Sequence, residues 1–269
     1  MSRGLSPAQA QRLAQTLTGL RAKTLNRAAM QSPAIVFSPH QDDATLGCGG
    51  LILKKRRLGA SVRIVFLTDG TTSPPNLPRH EVLALREQEG RAACRQLGVE
   101  LENVTFFGFI DGQLTEAQDR AIERVMQYLR AHPAAHVYVP YRQDRDPGLD
   151  HIAANKIVLS ALRQLGPERA AGCTVYEYPI WYWRFWPQTR IPVRGQQGVW
   201  KTQPHSRLTN LRALAGFNAC VKIGDVLEAK RAALEQHRSQ LEGLSRIQSG
   251  VFLEWFFGKR EVFYRHNLS

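Results

Sequence analysis

Short apolar runs and longer amphipathic stretches take turns along the first two thirds of this chain. Residues 34–38, 61–68, 104–109 and 136–141 are apolar enough to read as buried strands. The stretches 45–58, 79–97, 115–131 and 151–165 carry the spacing of helices. Turn residues punctuate the pattern: Asp69-Gly70 after the second run, Gly98 after the second helix, and Asp111-Gly112 after the third run. Near-continuous apolar strands separated by amphipathic helices predict a mostly parallel sheet with helices on both faces, a Rossmann-like α/β fold. In such a sheet the ligand crevice lies outside the carboxyl ends of the strands.

The flanks follow other rules. Residues 5–30, with Leu5, Leu13, Leu17, Leu20 and Leu25 among polar neighbours, read as a basic amphipathic leader helix. Beyond about Ile180 the alternation fades into the aromatic and basic run Trp181-Tyr182-Trp183-Arg184-Phe185-Trp186, then polar sequence to about His205. The run reads as packed core or loop, with a wall for sugar rings or a subunit interface as the alternatives. A helix over 223–241 and a last strand over 261–265 complete the expectation. The predicted organisation is a helical leader, 1–30, and one α/β domain, 31–269, with a C-terminal elaboration from about 181.

Composition narrows the class. Of 269 residues, 43% are hydrophobic and 22% charged, ordinary for a globular protein able to bury a sizeable core. No apolar stretch approaches the ~20 residues of a membrane-spanning helix. The first 30 residues lack the apolar segment of a secretory signal, which points to the cytoplasm. Cys48, Cys94, Cys173 and Cys220 are scattered and read as buried thiols, not as a disulfide framework or a cysteine zinc site. The net charge of +13 favours anionic partners in general. Its basic residues form no long block and no recognisable nucleic-acid module, so a solvated basic face is the simpler meaning.

Two clusters carry the chemistry. Ser38-Pro39-His40-Gln41-Asp42-Asp43 follows the first strand, and Asp146-Pro147-Gly148-Leu149-Asp150-His151 follows the fourth. One parallel sheet would bring both to the same edge. A buried carboxylate pair is expensive unless a cation or proton compensates it. The plain alternative is a polar loop with an aspartate capping the next helix. Catalytic zinc takes three nitrogen or oxygen ligands and keeps one position open, and His40, Asp43 and His151 supply such a set. Asp42 then stands beside the metal as general base for a metal-bound water, and Asp150 as an outer partner that orients a ring nitrogen. The set also accepts other divalent ions. Arg86 and Glu89, one helical turn apart, read as a surface ion pair. Asp144 and Asp146 read as loop-shaping carboxylates. His80, His132, His136, His205 and His266 lack partners at ligand spacing and read as surface or structural.

Pro39-His40-Gln41-Asp42-Asp43 followed by Gly47 to Gly50 resembles the signature of the LmbE-like, or PIG-L, family of zinc-dependent N-acetylglucosaminyl deacetylases. Thr68-Asp69-Gly70, Arg86 with Glu89, Asp111-Gly112, Asp150-His151, Lys230 and His237-Arg238-Ser239-Gln240 stand in family-like order, so the resemblance covers most of the chain. It implies a Rossmann-like fold and hydrolysis of the acetamide of an N-acetylglucosamine-type conjugate. It also implies metal ligation by His40, Asp43 and His151, Asp42 as base, and Asp111 at a substrate-contacting position; related proteins often assemble into homo-oligomers. Three positions depart from the family pattern. Gln41 stands where the family usually has Pro, and Ala44 where it has Glu. Gly148 stands where many members carry a histidine that stabilises the tetrahedral intermediate, a contribution of about 2.7–4 kcal/mol. His237, Arg142 and Arg145 are the substitutes the sequence offers. The alternatives are a zinc amidase for another acylated amine, or a glycan- or polyanion-binding member without turnover.

Overall fold

The computed structural model describes residues 7–72, 77–144, 146, 148–167, 172–185, 190–194, 200–204, 214–247 and 251–268. Leu5, Pro74, Pro75, Arg145, Pro147, Trp186 and His205 lie outside the described residues. Four parallel strand–helix units build the centre. They are β2 (Ala34–Ser38) with α3 (Asp43–Arg57), β3 (Val62–Thr68) with α4 (Arg79–Gln96), β4 (Val104–Phe109) with α5 (Gln118–Ala131), and β5 (His136–Pro140) with α6 (Asp150–Gln164). β6 (Thr174–Tyr178) follows, parallel to β5.

From β2 the chain proceeds outward through β3 to β4, then returns to place β5 and β6 on the other side of β2. The strand order therefore reverses between β2 and β5, and a sheet of this kind opens its crevice at that reversal. The pleat divides the strand residues between two cores. Val36, Ile64 and Tyr138 face the side covered by α3, with Leu51 and Ile52. Ile35, Phe37, Val65 and Val137 face α5 and α6, with Val125 and Ile157. Burial on both faces explains the continuous apolar runs in the sequence.

The flanks depart from expectation. The stretch 5–30 is not one helix: it forms α1 (Pro7–Arg21), β1 (Lys23–Thr24) and α2 (Arg27–Gln31). β1 pairs with β9 (Ala219–Lys222), and Asn26 Oδ1 accepts the Ala29 N–H at 2.9 Å to start α2. The single helix expected over 223–241 breaks into α8 (Leu227–Leu234) and α9 (Arg238–Ile247), after α7 (Trp181–Phe185) and the hairpin β7 (Arg190–Arg194) and β8 (Trp200–Pro204). A short α10 (Val251–Glu254) precedes β10 (Arg260–Asn267), which lies antiparallel between β9 and β6. Tyr182 and Trp183 of the aromatic run are buried against Phe217 and Tyr141, so these two rings are core. No helix of the described residues is long and apolar enough to cross a membrane.

Candidate metal centre and active site

The loop that leaves β2 is tied to the next strand before it reaches α3. Thr68 donates its N–H and its hydroxyl to the Pro39 carbonyl, at 3.0 and 2.8 Å. Gln41 returns the link by donating Nε2 to the Thr68 carbonyl at 3.0 Å. Asp42 occupies the N-cap position of α3, yet its side chain makes no capping bond. That leaves its carboxylate for another purpose. Gly47 lets α3 press onto β6, because a Cβ there would lie 2.3 Å from the Tyr178 ring.

The second cluster is fixed by its own backbone. Asp146 accepts the N–H groups of Gly148, Asp150 and His151 at 3.2, 3.1 and 3.0 Å, which caps α6. Leu149 sits at φ +64°, a left-handed conformation that side chains other than glycine avoid. Strain of this kind is maintained where the surroundings over-determine it. Here the turn delivers His151 to the end of β5.

His40 Nδ1 lies 3.1 Å and His151 Nε2 3.2 Å from the same oxygen, Asp43 Oδ2. The donor atoms of the three residues all fall within 4.8 Å of one another. His151 Nε2 is fully buried and has no hydrogen-bond partner. An orphaned buried acceptor beside a carboxylate oxygen and a second imidazole nitrogen is the donor set a divalent ion requires. The residues fit such an ion. Asp43 and His151 are closed off from solvent, whereas the His40 side chain is 18% exposed and marks the open side.

The remaining ring nitrogens are each held by a carboxylate. Asp144 Oδ2 lies 2.7 Å from His151 Nδ1, and its Oδ1 accepts the N–H groups of Ile180 and Tyr182 at 3.0 and 2.5 Å. Asp111 Oδ1 lies 3.1 Å from His40 Nε2, and Asp150 Oδ2 lies 3.5 Å from it. Asp150 thus stands beside His40, not beside the ring of its sequence neighbour His151, and also receives the Gly112 and Leu114 N–H groups. Asp144 does more than shape a loop. Such partners fix tautomer and ring orientation at metal sites.

Electrostatics show an excess of negative charge. Burial alone would lower both histidines. It is outweighed at His40 by Asp111, Asp150 and Asp43, and at His151 by Asp43, Asp146 and Asp144, so both pKa values rise well above 6.5. Burial works to raise Asp43, but the two imidazoles hold it well below the usual carboxylate range. Asp42 is pushed up to about 7, first by burial and then by the charge of Asp43, against the pull of His40 and Arg86. A pocket of this kind takes up cations.

The reading of Arg86 and Glu89 as a surface pair is corrected by the structure. Both are buried, at 0% and 7% exposure, because α9 covers that face of α4. Glu89 accepts the Ser239 N–H at 2.9 Å and its hydroxyl at 2.5 Å, and Arg86 Nη1 donates to the same hydroxyl at 2.8 Å. Gln240, the next residue, donates Nε2 to Asp42 Oδ1 at 2.7 Å. Among the candidates to replace the family histidine at Gly148, His237 is buried against Thr45, and burial together with Arg86 lowers it to about 3. Arg142 is committed to Glu177 and His266. Around Gly148 itself there is little room: a Cβ would lie 3.2 Å from the Gly112 Cα.

Comparison with known proteins agrees with this frame. Residues 35–162 match the family model described as "PIG-L: GlcNAc-PI de-N-acetylase". Over that span the chain is similar to the PIG-L family. That span holds β2 through most of α6 and contains His40, Asp42, Asp43, Asp111, Asp150 and His151. The 1D-myo-inositol 2-acetamido-2-deoxy-alpha-D-glucopyranoside deacetylase of Mycobacterium sp. strain KMS is 25% identical, over 88% of this chain and 84% of its own. Among solved structures, the N,N′-diacetylchitobiose deacetylase of Pyrococcus horikoshii superposes with a TM-score of 0.63 at 18% identity, covering 99% of this chain and 95% of that one. A 4-carboxy-2-hydroxymuconate hydratase from Pseudomonas putida superposes at 0.58 and 19% identity, covering 88% of this chain and 100% of that one. The PIG-L-like fold is thus shared with a protein whose name describes other chemistry, and the site must carry the functional argument.

Proposed function

We propose that this chain is a metal-dependent N-deacetylase acting on an N-acetylated amino-sugar conjugate of the N-acetylglucosamine type. The observation that carries the reading is the convergence of His40 Nδ1 and the orphaned His151 Nε2 on Asp43 Oδ2. His40, Asp43 and His151 would hold the ion, zinc or another divalent metal. When bound, it supplies Lewis acidity for the acetamide carbonyl and acidifies water towards neutral pH. The PIG-L match and the names of the relatives support the choice of acetamide substrate.

The rest is done by side chains of this chain. Asp42 takes the proton of the attacking water and delivers it to the departing amine nitrogen. A carboxylate in that place can accept a proton and return it, the general acid–base role. Asp144 orients His151, while Asp111 and Asp150 orient His40. Both oxygens of Asp111 are engaged, Oδ2 by the Thr72 N–H at 3.0 Å, which favours orientation of His40 over direct sugar contact. A second reading, a different acylated amine as substrate, is favoured by one observation: glycine stands at 148 in place of the family histidine, at a position where a Cβ would lie 3.2 Å from the Gly112 Cα.

The test is acetate and free-amine release from N-acetylglucosamine, N,N′-diacetylchitobiose and N-acetylglucosaminyl-inositol, with chelated and zinc-loaded protein. Release by the loaded protein, lost on chelation and lowered about 10²–10⁴-fold by Asp42→Asn with zinc retained, is expected. Release that survives Asp42→Asn removes the assigned base. No release from any acetamide by fully loaded protein overturns the reading.

A further inference from the structure

The motif His237-Arg238-Ser239-Gln240 lies about two hundred residues from the first cluster, and the proposed chemistry leaves it without a task. The structure assigns one: we infer that Gln240 is a positioning residue that fixes the carboxylate of Asp42, and that the Arg86–Glu89–Ser239 link fixes Gln240. The inference rests on Asp42 as the proton carrier and names what aims it.

Asp42 needs an external anchor. It stands at the start of α3 but makes no capping bond, and its neighbour Asp43 is committed to the two imidazoles. A carboxylate turns readily about its terminal torsion, which is broad and two-fold. The Gln240 amide pins Oδ1 at 2.7 Å, leaving the second oxygen for proton transfer. Only a donor fits opposite an ionised carboxylate, so the amide nitrogen is the atom that faces it. A neutral donor also orients Asp42 without adding a charge to the site.

Gln240 is 7% exposed and Asp42 6%, so the amide and the carboxylate it holds are packed together. The place of Gln240 along α9 is set one residue earlier. Ser239 presents both N–H and hydroxyl to Glu89, and Arg86 closes the group from the same helix, α4. The chain breaks between α8 and α9, with the Gln240 and Leu241 N–H groups both on the His237 carbonyl at 3.1 and 2.9 Å. An unbroken helix over 223–241 would continue along α8 instead of turning at this point.

Gln240→Leu removes the amide at similar volume, and Gln240→His returns an N–H at similar reach. With N,N′-diacetylchitobiose and N-acetylglucosaminyl-inositol as probes, Gln240→Leu is expected to lower kcat about 10- to 100-fold, the usual cost of a misaimed group. KM, zinc content and Tm stay at wild-type values, and Gln240→His recovers part of kcat. In a crystal structure of Gln240→Leu the Asp42 carboxylate leaves its present orientation or occupies two. That readout needs no turnover.

An unchanged kcat with Asp42 unmoved overturns the inference. So does a raised KM at constant kcat, which would make Gln240 a substrate contact. Equal losses in both variants with a lowered Tm would reduce it to packing. Asp42→Asn in the same series separates the two levels. If that variant keeps turnover, the base assignment itself fails; if only Gln240→Leu is silent, the base stands and its anchor does not.

Discussion

Helix α3 carries two buried charge clusters, one at its start and one in its middle, and they are finished differently. In the middle, Lys230 Nζ donates to the Leu46 carbonyl, the Phe256 carbonyl and Glu261, at 2.8, 2.9 and 2.7 Å. Glu261 in turn accepts the N–H groups of Gly50 and Leu51 at 2.8 and 2.7 Å. The Gly50 N–H and the Leu46 carbonyl are partners in a regular helix. Here each is bonded to one member of the ion pair, which fastens α3 to α8 and β10. Charge balances, and every donor on Lys230 has an acceptor. At the start of α3, carboxylates outnumber imidazoles, and His151 Nε2, 3.2 Å from Asp43 Oδ2, makes no hydrogen bond. A closed cluster reads as structure; an open one, built with equal care, reads as a place for something else.

Removing a ligand breaks the comparison most severely. His151→Ala or Asp43→Ala is expected to abolish stoichiometric zinc binding, measured by elemental analysis after dialysis. Lys230→Met should leave zinc content unchanged. Zinc should also raise the Tm of the wild-type protein and not that of His151→Ala, since an ion that binds the folded state alone stabilises it. Equal zinc uptake in wild type and His151→Ala would show that the open cluster is no metal centre.

The closed cluster predicts a loss of stability in place of a loss of metal. Lys230→Met strands Glu261 as a buried charge, which costs about 3–5 kcal/mol in denaturant unfolding. Adding Glu261→Gln removes the stranded charge, so the double variant should be less destabilised than the sum of the two single ones. Strict additivity would mean that the two residues act separately and that the pair is no clamp.

What could be read from the sequence follows from how local each signal is. β2 to β5 and their helices were legible because burial on both faces writes continuous apolar runs. The His40 and His151 clusters were legible because each follows such a run directly. β1 and β9 were not, being Lys23–Thr24 and Ala219–Lys222, strands defined by a distant partner and not by their own pattern. The Arg86–Glu89 spacing is the same on a solvated helix as on a covered one, and only α9 decides between them. Gln240 writes no local signal of its relation to Asp42. The same limit applies to Asp150, whose adjacency to His151 in sequence gives no sign that its carboxylate lies beside His40.

Histidine offers the finest form of the comparison, because a third buried imidazole lies among cations. His136 Nδ1 is 3.5 Å from Lys55 Nζ, which also donates to the Ala29 and Ser32 carbonyls at 2.8 and 2.7 Å. Its ring packs against Tyr176 and Tyr138. Burial, then Lys55, then Arg265 lower its pKa from 6.5 to about 4, the reverse of the rise at His40 and His151. Well above pH 6.5 the ring is neutral in both folded and unfolded chains, and its contribution to stability is fully present. As pH falls from about 6.5 to about 4, the unfolded chain binds a proton that the folded chain refuses, and stability declines by up to about 3 kcal/mol. His136→Asn, which keeps an acceptor near the Nδ1 position, should flatten that part of the stability curve, measured by urea unfolding between pH 7 and 4.5. A variant whose curve runs parallel to that of the wild type through this window would show that Lys55 and His136 tolerate two charges side by side.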